Sequence, residues 1–250
     1  MRLTLDDAAW SSPWRTRSTL EKSLVCVGLL LVAATTTSLL VAGLVGVCAV
    51  GLAVAARVPV GVWLRSMLGP LVFVTIGAVT IAVTVRPGDL VSVGPLGVDE
   101  GSASRAVLVA GRALAATSAM VLLAATTPMV DLLAGLRRAR VPEVAVDIAA
   151  VTYRLVFSLL DSAAAISAAQ AGRLGYANGR AARRSIGLLA ASVLVTAWDR
   201  ARRLEVGLAG RGGVTTVPLV PARAVSTPFV LLGGTLVLGL AGLSLRAGLA

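Results

Sequence analysis

Residues 143–175 read EVAVDIAAVTYRLVFSLLDSAAAISAAQAGRLG, and residues 185–212 read SIGLLAASVLVTAWDRARRLEVGLAGRG. Both stretches are rich in Ala, Leu and Arg, which favour helix, and no proline falls between Glu143 and Val217. They close in a similar way, at Ala171-Gly172-Arg173-Leu174-Gly175 and at Ala209-Gly210-Arg211-Gly212. Glycine marks a helix stop, and a cation near a C-terminal end is favoured by the helix dipole. Two long helices, each delivering an arginine to its C-terminal end, are therefore the reading from which the rest of the chain follows. Apolar runs such as Ile186 to Ala197 alternate here with dense arginine such as Arg200, Arg202 and Arg203. The region is neither a clean membrane span nor an ordinary loop.

The remainder is mostly membrane in composition. Of 250 residues 57% are apolar and 14% charged, histidine is absent, and the mean hydropathy is +0.89. Soluble domains carry about 25% charge, so the expected fold class is all-α, a polytopic integral membrane protein with an amphipathic cytoplasmic helix module. A net charge of +11 would suit nucleic acid, but about half of the basic residues lie between Arg137 and Arg211, beside apolar helices. Positive-inside topology accounts for that placement, and no nucleic-acid partner is expected. Cys26 and Cys48 sit within apolar runs as small hydrophobes, and two cysteines without histidine make no metal site. Residues 1–22 hold Asp6, Asp7, Arg15, Arg17, Glu21 and Lys22, too polar a lead for a cleavable signal. Trp10 and Trp14, at i, i+4, would share one helical face as an interfacial anchor, whereas Pro13 between them argues for a turn.

Leu24 to Ala56 carries no charge. It is longer than one span and shorter than the ~40 residues two spans take at about 20 each, so it reads as two short spans reversing at Thr35-Thr36-Thr37-Ser38. Arg57 and Arg65 bracket a connection with Pro59 and Gly61, and Met67 to Val85 is a third span. Arg86-Pro87-Gly88-Asp89 stops it, and the segment through Glu100 reads as an external loop with a brief extended or hairpin piece. A fourth span runs from about Ala106 to Thr127 with Arg112 in its first turns, where snorkelling or a structural polar contact is favoured over a transport-pathway role. Pro128 opens a short amphipathic helix closed by Arg137, Arg138, Arg140 and Pro142.

The helix from Glu143 places Asp147, Arg154 and Asp161 seven apart on one face, and its small residues after Ala163 let another helix approach closely. Arg180 to Arg184 reads as a cationic turn, followed by a helix from Ser185 to about Ala209 that lies along or dips into the inner interface. Phe229 to Leu245 is the last span, with Gly233, Gly234, Gly239 and Gly242 offering close packing. The chain so divides into a cytoplasmic N-terminal segment 1–23, a four-helix transmembrane part 24–127, cytoplasmic or interfacial helices 128–222, and a last transmembrane helix and tail 223–250. Histidine is absent, no intramembrane carboxylate pair exists, and the only lysine is Lys22. No catalytic residue, metal site or phosphate loop is expected, and the chain is not read as an enzyme. From composition alone, the arginine module is equally well a charged surface held against the anionic lipid of the bilayer.

The order of spans, then Val151-Thr152-Tyr153-Arg154-Leu155 in a long helix, then two arginine-ended helices and a last span, resembles the T component of energy-coupling factor transporters. The cobalt-type transmembrane subunits look closest, and Asp7-Ala8-Ala9-Trp10-Ser11-Ser12-Pro13-Trp14-Arg15 is similar to their opening. The resemblance covers nearly the whole chain. It implies two Ala-Arg-Gly-type motifs that dock on two ATP-binding-cassette ATPase subunits, carried over to Arg173 and Gly175 in the first and to Ala209, Arg211 and Gly212 in the second. Here leucine separates arginine from glycine in the first motif, and glycine precedes arginine in the second. Tyr153 and Arg154 carry over as residues of the coupling helix. The resemblance further implies that ATP stays on the partner subunits and that no cofactor is held here. A separate membrane S component binds the substrate, a cobalt or nickel ion or a vitamin. A self-contained secondary transporter and a non-transporting membrane scaffold are the other readings.

The charge count puts residues 137 to 223 and the N-terminus in the cytoplasm, in the cell membrane, and residues 86 to 105 outside. Cysteine labelling of intact cells should modify Ser92→Cys and leave Ser185→Cys unmodified. The opposite pattern would invert the topology.

Overall fold

The computed structural model describes residues 4–84, 91–93, 96–210 and 226–249. They fall into two compact units, one within Thr4–Leu132 and Pro221–Ala250, the other within Leu133–Val220. The first unit opens with α1 (Thr4–Ser11), a 3-10 turn at Pro13–Thr16, α2 (Thr19–Thr35), α3 (Leu39–Ala55) and α4 (Val60–Ala82). Three short strands, β1 (Val83–Thr84), β2 (Val91–Val93) and β3 (Leu96–Val98), follow, and then α5 (Glu100–Thr126). The helix α6 (Met129–Arg138) leads out of this unit, and α9 (Thr227–Leu249) belongs to it. The second unit is built on α7 (Glu143–Gly172) and α8 (Gly179–Ala209). The protein is helical, with the extended hairpin piece expected before α5 taking the order β1-β3-β2, antiparallel throughout.

Among the described residues, α4, α5 and Thr227–Ala247 of α9 are long and apolar enough to cross a membrane. The uncharged run before them does reverse at Thr36–Ser38, but its two helices are short, 17 residues each, or about 26 Å at 1.5 Å per residue against a ~30 Å hydrocarbon core. The first of them starts at Thr19, five residues earlier than the apolar run suggests, and takes Glu21 and Lys22 into the protein interior. Lys22 Nζ donates to the Thr126 carbonyl oxygen at 3.0 Å, and Glu21 accepts the Ser226 amide. Paired in this way, the two charges can be buried.

Two further boundaries move. Gly61 and Arg65 lie inside α4, which begins directly after Pro59, a residue suited to a helix start. The two tryptophans do not share a helical face, because Pro13 ends α1 and opens the 3-10 turn, capped by Ser12. Trp14 turns inward to meet the edge of Phe229 at 5.4 Å, whereas Trp10 stays exposed beneath the Arg15 guanidinium.

The core of the first unit forms where α2, α3, α5 and α9 meet, around Val25, Leu29, Val32, Val41, Val45, Ala115, Ala119 and Leu240. A second cluster joins Cys26, Ala53, Leu122 and Leu123, with Trp14 and Trp63 against it. Arg112 settles in a structural contact, donating to the Ala34 carbonyl at the C-terminal end of α2, where the dipole favours a cation. Of the glycines expected to pack α9, Gly233 does so. A Cβ there would run into Val25, while Gly234, Gly239 and Gly242 face open space. Its counterpart on α2 is Gly28, whose Cβ would lie 2.8 Å from Val237. Gly233→Val should therefore lower the melting temperature in mild detergent, overpacking costing about 1–3 kcal/mol, and Gly239→Val should leave it unchanged.

Candidate functional site

The candidate site is the pair of helix ends in the second unit. At its N-terminus α7 follows Pro142 and is tied back to α6 by an ion pair between Arg137 and Asp147. Asp147 is thus committed to α6, and Arg154 is exposed on the same helix. Tyr153 meets Phe157 edge to face at 4.9 Å, an i, i+4 aromatic contact along α7.

At the other end, α7 closes in a Schellman arrangement. Leu174 N–H donates to Ala171 at 3.0 Å and Gly175 N–H to Gln170 at 2.8 Å. Leu174 holds the left-handed position, φ 58°, where glycine is usual and a side chain costs about 1–2 kcal/mol. Glycine comes one residue later for a different reason. A Cβ at Gly175 would lie 2.6 Å from Ser185 Oγ and 2.8 Å from the Gln170 carbonyl oxygen. The leucine inserted between Arg173 and Gly175 is therefore the turn itself, and Gly175 is the point of close approach. Arg57 and Arg140 end α3 and α6 in the same left-handed way, at φ 52° and 61°.

Around Gly175 lies a network that the sequence does not announce. Ser185 Oγ donates to the Gly175 carbonyl oxygen at 2.8 Å, Gln170 Nε2 to the Ser185 carbonyl oxygen at 3.1 Å, and Tyr176 Oη to Gln170 Oε1 at 2.8 Å. Asn178 caps α8, its Oδ1 accepting the Ala181 amide at 2.8 Å. The helix therefore starts at Gly179, and Arg180, Arg183 and Arg184 lie in its first turns, where a cationic connecting turn was expected. The signal that could have placed this start is the Asn-Gly pair, a helix-cap residue ahead of an arginine- and alanine-rich run. The positive end of a helix disfavours cations, so these arginines do not serve helix stability. Arg173 is exposed at this corner with Arg180, Arg183 and Arg184 beside it in the chain.

The two helices run antiparallel. Gln170 meets Ser185 at the corner, Ser162 Oγ accepts from Arg200 at 2.9 Å further along, and a cavity of about 480 Å³ lies at the far end. That cavity is lined by Val144, Ile148 and Val151 of α7 and Leu204 and Leu208 of α8. With 30 residues in α7, the two C-terminal ends stand about 45 Å of helix apart. Ala209 is the last, exposed residue of α8. Arg211 and Gly212 lie outside the described residues, so the structure places Arg173, Gly175 and Ala209 and leaves the second arginine to the sequence. Among the described residues no three His, Cys, Asp or Glu side chains gather as a metal site.

Over residues 11–219 the sequence matches the family CbiQ, described as cobalt transport protein. The chain belongs to the CbiQ family. It is 40% identical over 229 residues, 91% of each chain, to the cobalt transport protein CbiQ of Rhodobacter capsulatus. It is 33% identical over 141 residues, 54% of this chain and 63% of the other, to the protein of the same name from Salmonella typhimurium. CbiQ proteins are the transmembrane T components of energy-coupling factor transporters, the family whose resemblance the motifs and span order carry.

One consequence for labelling follows, because Ser185 is buried against Gly175. An introduced cysteine there would resist reagents from either side, and Ala177, exposed in the same corner, is the better reporter of the side this corner faces. Gly175→Val should speed hydrogen exchange at the Leu174 and Gly175-position amides several-fold, through loss of about 1 kcal/mol of hydrogen bonding. Gly172→Ala, with open space at its Cβ, should leave exchange at this corner unchanged.

Proposed function

We propose that this chain is the coupling subunit of an energy-coupling factor importer, holding two ABC ATPase subunits at the ends of α7 and α8 and moving a membrane S component that binds the substrate. The observation that carries this reading is the antiparallel α7–α8 pair. It turns two chemically similar helix ends in opposite directions, far enough apart for two separate proteins. Arg173 suits such a joint because a guanidinium stays charged and can hold a carboxylate or backbone carbonyls with two parallel hydrogen bonds. Arg211 has the same role on the second subunit. ATP is bound and hydrolysed by the partners, and no cofactor is bound here.

The relatives are named cobalt transport proteins, and a cobalt ion is the substrate this reading takes, held by the S component. The arginine-rich unit and the N-terminus face the cytoplasm, in keeping with the positive-inside distribution of charge. The polar contact of Arg112 with the end of α2 supports a structural role for it.

Replacing Arg173 or Arg211 with alanine should remove a charge-assisted contact worth about 1.5–3 kcal/mol, and replacing both should weaken the complex far more. Lysine at either position should rescue in part, since it brings charge without the planar fork. Arg180→Ala and Arg183→Ala remove the same charge from the same module and should leave ATPase recovery and uptake nearly intact. Equal losses in all four single variants, at equal membrane expression, would favour a lipid-facing charged surface over docking.

A further inference from the structure

Among the described residues, Lys22 and Glu21 are the most enclosed charged side chains, 0% and 1% exposed. Charged groups are buried so fully only when each has a partner, and here the partners are helix ends. Lys22 reaches the carbonyl oxygen of Thr126, the last residue of α5, at 3.0 Å. Glu21 accepts the amide of Ser226, just ahead of α9. Each charge thereby faces the end of opposite dipole sign, a cation at a C-terminus and an anion at an N-terminus. Neighbouring side chains add to the same joint. Thr19 Oγ1 donates to the Asp131 carbonyl oxygen at 3.2 Å, in the first turn of α6, and Arg17 donates to Ser226 Oγ at 3.4 Å while lying over Phe229.

The chain leaves this unit after Leu132 and returns to it within Pro221–Ala250. Thr126 to Asp131 are among the last residues before departure, and Ser226 is the first described residue after return. One helical turn, Thr19 to Lys22, therefore grips both the outgoing and the incoming chain. Ser18 Oγ, Glu21 Oε2 and Thr127 Oγ1 are buried in the same region without a hydrogen-bond partner.

We propose that Glu21 and Lys22 are positioning residues of energy coupling, the joint through which movement carried by both chain crossings reaches the membrane helices α2, α5 and α9. This rests on the coupling reading above. The joint acts through the backbone at Thr126, Asp131 and Ser226 and touches neither ATP nor substrate. Weakening it should leave ATP hydrolysis running while less of each cycle is converted into transport.

The test is made on the full transporter reconstituted in proteoliposomes, with cobalt(II) uptake and ATP hydrolysis measured on the same preparation. In Glu21→Gln, Lys22→Met and Thr19→Val, ATPase subunits should co-purify as with the unaltered chain, and uptake per ATP hydrolysed should fall by about fivefold or more, the lower end of what coupling energies produce. A smaller change in that ratio, including a proportional loss of both activities, overturns the proposal. Should Lys22→Met fail to assemble, the near-isosteric Glu21→Gln and Thr19→Val decide the matter. Failure of the coupling reading itself looks different, since then the unaltered chain would bring down no ATPase subunits.

Discussion

A helix ends with carbonyls that have no partner within the helix, and a side chain from elsewhere in the chain can take one of them. The first unit meets this constraint four times over. Arg112 donates to the end of α2 at Ala34, Ser12 to the end of α3 at Ala56, Ser102 to the end of α4 at Ala82, and Lys22 to the end of α5 at Thr126. Each donor comes from a different part of the chain, so every such bond also fixes one element against another. A chain with 14% charged residues has few polar groups to spend, and it places several of them where one bond both satisfies a helix end and sets the packing.

This explains how far the sequence could be read. The reversal at Thr36 to Ser38, the start of α7 after Pro142 and the amphipathic α6 follow from local chemistry and were legible from it. The start of α2 was not, because Glu21 and Lys22 look like headgroup-level charges until Thr126 and Ser226, over a hundred and over two hundred residues away, are seen beside them. Left-handed helix ends at Arg57 and Arg140 carry no glycine to mark them, and at Leu174 the glycine follows one residue later. Gly233 was legible as a packing glycine only in kind. Which of four glycines faces a neighbour depends on the rotation of α9 against Val25 of α2.

The site shows the same division. Arg173 could be placed at a helix end from its neighbours alone, as could Ala209. Gln170, Tyr176 and Ser185 could not, since their bonds cross a turn and depend on the α8 start at Asn178. The departure from the expected tripeptide at Leu174 becomes a local structural feature once the turn is known. The residue between Arg173 and Gly175 makes the reversal and leaves the arginine on the outside of it.

The antiparallel course of α7 and α8 also has a mechanical side. A rod gripped at its two ends turns when the ends are pushed in opposite directions and merely travels when they are pushed together. Under the coupling reading, two partners seated at opposite ends of this pair would exert a torque only through their motion relative to each other, and drift that they share would cancel. The hydrogen bond between Ser162 and Arg200 lies between those ends. Under that reading the pair turns when its partners move in opposite directions across its length and is carried along when they move together.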